Sequence, residues 1–183
     1  LMKALRDLRA VAVQHSFMIE YGWSVMKVTN IVIAGLGGQG VLKASDILAD
    51  AAFRAGFDVK KSELHGMSQR GGSVSSDVRY GEGVLSPMVP PGEADVLVVL
   101  EPTQVEINRP TLRADGVLIG PDAIAPDALK NKKSLNVALL GAISTVLDIP
   151  DEHWMAAMHA NLAEKLHALN EQAFECGRDA ARA

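Results

Sequence analysis

Two stretches of this sequence combine glycines with side chains that can hold an anion. Gly35-Leu36-Gly37-Gly38-Gln39-Gly40 spaces its glycines as GxGxxG. Glycine permits a tight turn there and lets backbone N–H groups approach a negative charge at a helix N-terminus. The second stretch is His65-Gly66-Met67-Ser68-Gln69-Arg70-Gly71-Gly72. Its His65, Gln69 and Arg70 offer an imidazole, an amide and a guanidinium fork, and Gly66, Gly71 and Gly72 allow the turns that aim them. That set suits a phosphate-bearing cofactor, and it equally suits an interface clamp.

The glycine loop alone supports two further readings. A dinucleotide-binding domain requires an acidic residue about 20 positions on, at the end of the second strand, to hold a ribose. Glu63 meets that need, and Lys60 or Lys61 would suit a phosphorylated ribose. The chain then runs into His65–Gly72 and another strand instead of a second helix. In the other reading the glycines only let the helix pack tightly on the sheet. Glu101 stands at the end of the most apolar strand, where ligands gather in open α/β sheets. It either orients a site residue or caps the helix begun by Pro102. His15, His153, His159 and His167 lack a convergent partner and read as surface or packing residues. Ser73, Ser75 and Ser76 lie on a strand with no GxSxG elbow, which argues against a hydrolase of that design.

The elements that must position these groups alternate along the chain. Asn30–Ala34 is a short β-branched run ending in glycines, the mark of a buried strand. Val41–Ala55 repeats apolar residues with a helical period, and Gly56 stops it. Phe57–Glu63 follows as a second strand. Ser73–Tyr80 alternates small or polar residues with Val74 and Val78, as a less buried or edge strand does. Ser86–Gly92 is a proline-rich loop, Ala94–Leu100 a strand buried on both faces, Thr103–Arg109 a short helix and Gly116–Ile119 a further strand. A helical pattern over Asn136–Leu147 is interrupted at Pro150. Asp151 caps the next helix, which runs through Trp154, Met158 and Leu162. The remainder to Arg182 is helical and polar, with Gly177 as a weak point. Strands alternating with helices predict an α/β fold: a Rossmann-like three-layer domain with a mostly parallel sheet. Adjacent parallel strands would then carry the two glycine-rich segments side by side at the carboxyl edge.

Composition bounds what these elements can do. A chain of 183 residues makes one domain, and 4% aromatic residues imply an aliphatic core. Leu1–Val25 reads as an N-terminal extension, helical from Leu1, Leu5, Leu8 and Ala12 or foreign to the native domain, which spans 26–183. The net charge of −4 and the lack of a basic stripe argue against nucleic-acid binding. Lys130, Lys132 and Lys133 are the densest basic stretch and read as a solvated loop. No apolar run reaches the length of a membrane span. Cys176 is the one cysteine. One cysteine cannot ligate an iron–sulfur cluster or a structural zinc, nor form an internal disulfide. The expectation is a chain without a metal centre of its own, in a reducing cytoplasm.

Taken together, GLGGQG at Gly35–Gly40, SELHGMSQRGGSVSSDVR at Ser62–Arg79 and PPGEADVLVVLEP at Pro90–Pro102 resemble a known family. They are similar to the gamma-type domain of 2-oxoacid:ferredoxin oxidoreductases, most closely the beta subunit of the indolepyruvate type. HGMSQRGGSV is the most specific of the segments, and the helix start Asn136–Ala142 (NVALLGA) also resembles the family. The likeness runs from Met26 to about Gly177. The stretch between Gly120 and Asn136 is short beside the family pattern, so a strand there is expected to be missing or reduced. Leu1–Val25 has no counterpart. The resemblance implies a larger partner subunit that carries thiamine diphosphate and [4Fe-4S] clusters. That enzyme decarboxylates a 2-oxoacid, here indolepyruvate or another aryl pyruvate, passes electrons to ferredoxin and yields an acyl-CoA. This chain would close the site, hold no cofactor alone and be inactive alone, with a homodimer open to it when isolated. Its candidate cofactor-binding residues, for coenzyme A or the partner's thiamine diphosphate, are Gly35, Gly37, Gly38, Gln39, Gly40, His65, Gly66, Gln69, Arg70, Gly71 and Gly72.

Overall fold

The computed structural model of the chain describes residues 27–66, 71–125 and 127–182. The extension expected over Leu1–Val25 lies outside the described residues, as do Gln69 and Arg70. The β-branched run becomes β1, Val28–Leu36, with Ile31, Val32, Ile33 and Ala34 all buried, as an interior strand requires. Helix α1, Val41–Arg54, lays Val41, Ala44, Ile47, Leu48, Ala51 and Ala52 on the sheet, the helical spacing of an amphipathic element. It ends at Gly56, where the Phe57 and Gly56 N–H groups return to the Ala52 and Phe53 carbonyls in a Schellman motif.

Strands β2, Asp58–His65, and β3, Ser73–Gly81, follow. β4, Ala94–Val99, leads through a 3₁₀ turn at Pro102–Gln104 into the short helix α2, Val105–Asn108. β5, Leu112–Ile119, is longer than its apolar core suggested. Between Gly120 and Asn136 the described residues carry 3₁₀ turns at Pro121–Ala123 and Lys132–Ser134 and no strand. Three helices complete the chain: α3, Leu135–Ser144, α4, Asp151–Asn161, and α5, His167–Arg182. Pro150 occupies the N-cap of α4. Asp151, expected to cap it, is its first residue, and its carboxylate meets Arg178 at 2.7 Å. Leu162, expected inside that helix, is extended and ends it.

Among the described residues the strands form one sheet in the order β2-β3-β1-β4-β5. β1, β4 and β5 are parallel, whereas β3 runs antiparallel to both β1 and β2. The parallel expectation therefore holds for one half of the sheet. Ser73–Tyr80 is an interior strand and not an edge: β2, with its exposed charges, takes the edge. The polar residues of β3 are tolerated inside because they are used. Ser76 Oγ donates to the Ser62 carbonyl at 3.1 Å, and the Asp77 carboxylate accepts from the Val89 N–H at 2.9 Å.

The main core lies on one face of the sheet, where Ile31, Ile33, Val78, Val96 and Val98 meet the four longer helices. The opposite face is a thin layer, in which Val32, Leu97 and Val99 are covered by Val89 of the proline-rich loop and Val105 of α2. Helices α3 and α5 cross at two glycines. A Cβ on Gly177 would strike the Ala138 carbonyl, and one on Gly141 would strike the Phe174 carbonyl. Gly177, which sequence alone marks as a weak point, is a site of close backbone approach. No described helix is long and apolar enough to cross a membrane.

Candidate functional site

The two glycine-rich segments meet. Because β3 is antiparallel to its neighbours, β2 runs in the same direction as β1, and the C-terminal ends of both reach one edge of the sheet. The loop after β1 and the start of β3 are joined there by the Gly37 N–H, which donates to the Gly72 carbonyl at 2.9 Å. The place where a Gly37 Cβ would sit is 3.5 Å from the Gly71 nitrogen. Gly66 closes the other side, donating to the Ser73 carbonyl at 2.7 Å. The juxtaposition expected from adjacent strands is thus real, although β3 stands between β1 and β2.

Within the loop the glycines do different work. Gly35 leaves room for the Gln39 Oε1, which would lie 2.9 Å from its Cβ. Gly38 and Gly40 have φ of +93° and +86°, the left-handed region that disfavours other residues. Gly40 is the N-cap of α1. Gln39, a candidate ligand by sequence, serves as a brace. Its Oε1 accepts from the Leu36 N–H at 2.7 Å, and its Nε2 donates to Glu101 Oε2 at 2.8 Å. Glu101 therefore orients the loop from the end of β4, and its side chain makes no capping bond to the turn begun by Pro102. His65 is half exposed at the end of β2, with Nε2 3.4 Å from Glu63.

Beside the loop lies a cleft of about 380 Å³, lined by Gly38, Gln39 and Gly40, by Leu100 just beyond β4, and by Lys132, Lys133 and Leu135. A second cleft of about 390 Å³ shares Lys132 and Leu135 with it and adds Pro121, Ile124 and Leu129. By local pattern Lys132 and Lys133 read as part of a solvated loop. The fold brings them over the glycine loop, exposed and without an ion-pair partner among the described residues. Their only signal was two adjacent cations directly before the Asn136–Ala142 motif. Asn136 was also missed as a site residue: its buried Nδ2 donates to the Gly40 carbonyl at 3.2 Å.

The arrangement can bind an anion. The N-terminus of a 14-residue helix, two ammonium groups and an open glycine turn converge on one cleft. The ribose contact of a dinucleotide site is not built here. Glu63 is on β2, one strand removed from β1, and Lys61 Nζ holds its carboxylate at 2.7 Å. The Lys61 hydrogen bond keeps the Glu63 carboxyl below its ordinary range, against a smaller opposing effect of burial.

The family model for pyruvate ferredoxin/flavodoxin oxidoreductase matches residues 30–126, which contain both glycine-rich segments. Indolepyruvate oxidoreductase subunit IorB of Thermococcus kodakarensis is 36% identical over 86% of this chain and 98% of that protein. The subunit of the same name from Pyrococcus horikoshii is 38% identical over 77% of this chain and 68% of its own. The gamma subunit of the keto/oxoacid ferredoxin oxidoreductase of Geobacter sulfurreducens shares the fold. It superimposes with a TM-score of 0.71 at 22% identity, covering 85% of this chain and 97% of that one. The chain belongs to the pyruvate ferredoxin/flavodoxin oxidoreductase family.

Proposed function

We propose that this chain is the small subunit of an indolepyruvate-type 2-oxoacid:ferredoxin oxidoreductase, and that its glycine loop receives a phosphate of coenzyme A. In this reading the thiamine diphosphate and [4Fe-4S] clusters belong to the larger partner subunit, which decarboxylates an aryl pyruvate and passes the electrons on to ferredoxin. The observation that carries the reading is the junction of the two signature segments, Gly37 N–H to Gly72 carbonyl, at the rim of a cleft lined by Lys132 and Lys133.

The residues present fit a phosphate group. Backbone N–H groups at the start of α1 carry partial positive charge, and a phosphate oxygen accepts from them without a side chain intervening. Lys132 and Lys133 add full charges on the far wall of the cleft. Leu100 and Leu135 complete the lining with apolar surface. Gln39 and Glu101 hold the loop in shape, so that its geometry is set before the ligand arrives.

Gln69 and Arg70 belong to the segment whose described ends, Gly66 and Gly71, sit at this edge. They are proposed to serve the same phosphate, with docking of the larger subunit as the competing role. Arg70→Ala in the co-expressed complex separates the two. A lost charge-assisted contact raises the coenzyme A requirement by roughly 10-fold or more while the subunits still co-purify. Dissociation of the complex would assign Arg70 to docking, and unchanged assembly with unchanged kinetics would remove it from both roles.

A further inference from the structure

We propose that Asn136 is a positioning residue that ties the lysine arm to the glycine loop and thereby fixes the distance between the two walls of the anion site. The proposal rests on the reading of that loop as a phosphate site. Asn136 is only 7% exposed in the first turn of α3, a helix whose other buried positions are mostly apolar. Burying an amide there is costly unless its hydrogen-bonding groups are used. Its Nδ2 donates to the Gly40 carbonyl at 3.2 Å, across 96 residues of sequence. The same carbonyl already accepts the first helical bond of α1, from the Ala44 N–H at 2.9 Å. Two donors on one oxygen hold the Gly40 peptide plane, and with it the direction of the first free N–H groups of α1.

The contact needs glycine at position 40 twice over. The backbone there has φ of +86°, and a Cβ would lie 2.5 Å from Asn136 Nδ2. On its own side, Asn136 stands two residues after the 3₁₀ turn Lys132–Ser134, whose start is fixed by Asn131 Oδ1 accepting from the Lys133 N–H at 2.9 Å. The two lysines and the loop are therefore joined through one buried side chain. Without it, each wall of the cleft keeps its own fold but loses its registration against the other.

Asn136→Ala removes the donor, while Ala44 still satisfies the Gly40 carbonyl. Asn136→Asp keeps the shape, sets an oxygen against the Gly40 carbonyl and brings negative charge to the cleft. Both variants are made in the assembled complex, and initial rates are measured against coenzyme A and against the 2-oxoacid. The expected result is a coenzyme A KM raised roughly 2- to 10-fold in Asn136→Ala, and further in Asn136→Asp. The maximal rate and the 2-oxoacid KM stay close to wild type. A fall in melting temperature with an unchanged coenzyme A KM would overturn the proposal and leave Asn136 as a packing residue. Should Asn136→Asp fail to assemble, Asn136→Ala alone decides. Lys132→Glu/Lys133→Glu, at two exposed residues that line the cleft, is the control for the underlying reading. If it too leaves the coenzyme A KM unchanged, the cleft is not the phosphate site and both statements fall. If it raises KM while Asn136→Ala does not, only the positioning role is lost.

Discussion

Replacing Gln39 tests whether the glycine loop is held by its own glutamine. Gln39→Leu removes both bonds at once. The Leu36 N–H, half-buried at the end of β1, loses its acceptor at 2.7 Å, which costs about 1–3 kcal/mol if nothing replaces it. Glu101 loses its 2.8 Å donor, but it is partly exposed and regains water, so the charge-assisted part is about 1 kcal/mol or less. The sum of about 1–4 kcal/mol corresponds to a melting temperature lower by roughly 2–16 °C in a domain of this size. Gln39→Glu is the sharper probe. Its carboxylate can still accept from Leu36, but it faces Glu101 where an N–H stood. Two carboxylates at that spacing share a proton, so the pair has a raised folded-state pKa. Stability from a raised acid is present below the ordinary carboxylate range and is lost as pH rises through the folded value. Thermal melts of Gln39→Glu from pH 4 to pH 8 should therefore approach wild type in acid and fall away at neutrality. Wild-type stability at every pH for both variants would refute the brace.

Three other outcomes follow from the packing and charge described above. Gly177→Ala should destabilise the chain by about 1–3 kcal/mol despite the better helix propensity of alanine, because its methyl meets the Ala138 carbonyl across the α3–α5 crossing. A gain in melting temperature would show that the crossing relaxes freely. Burial raises the Asp77 carboxyl above its ordinary pKa, outweighing the Val89 N–H and the Arg79 charge, so wild-type stability from this group is lost as pH rises through the folded value. Asp77→Asn keeps an acceptor for Val89 and should melt higher than wild type at pH 7 with the advantage gone in acid; a lower melting temperature at pH 7 contradicts this. Burial likewise lifts Tyr80 to about 12. In a Tyr21→Phe background, the phenolate absorbance should rise with a midpoint near that value, and a midpoint near the ordinary tyrosine value of about 10 would show that Tyr80 is not held in the core.

Much of this was legible in the residues, and the parts that were not have physical causes. Asn30–Ala34 and Ala94–Leu100 announced interior strands because unbroken β-branched runs have few other uses. Gly56 announced the end of α1 because the Schellman motif needs glycine there. Pairing was not legible. Ser73–Tyr80 looks like an edge because Ser76 and Asp77 are polar, and only the fold shows that Ser62 and Val89 satisfy them. The glycine loop was found from its spacing, but the role of Gln39 depends on Glu101, 62 residues away. Lys132, Lys133 and Asn136 were passed over for the same reason: α3 brings them to a loop nearly a hundred residues earlier, and no local pattern encodes that meeting. Gly177 looked like a flaw in a polar helix because its partner, the Ala138 carbonyl, lies on another element.

The proposed role of this chain as the phosphate-receiving subunit is tested most directly by reversing the charge of its cleft in the assembled enzyme. Lys132→Glu/Lys133→Glu is co-expressed with the larger subunit, and aryl-pyruvate-dependent dye reduction is followed as coenzyme A is varied. Both lysines are exposed, so the double change should leave the fold and the co-purification intact. The account predicts a coenzyme A KM raised roughly 10-fold or more, most strongly at low salt, with the aryl pyruvate KM unmoved. An unchanged coenzyme A KM in an intact complex would contradict it.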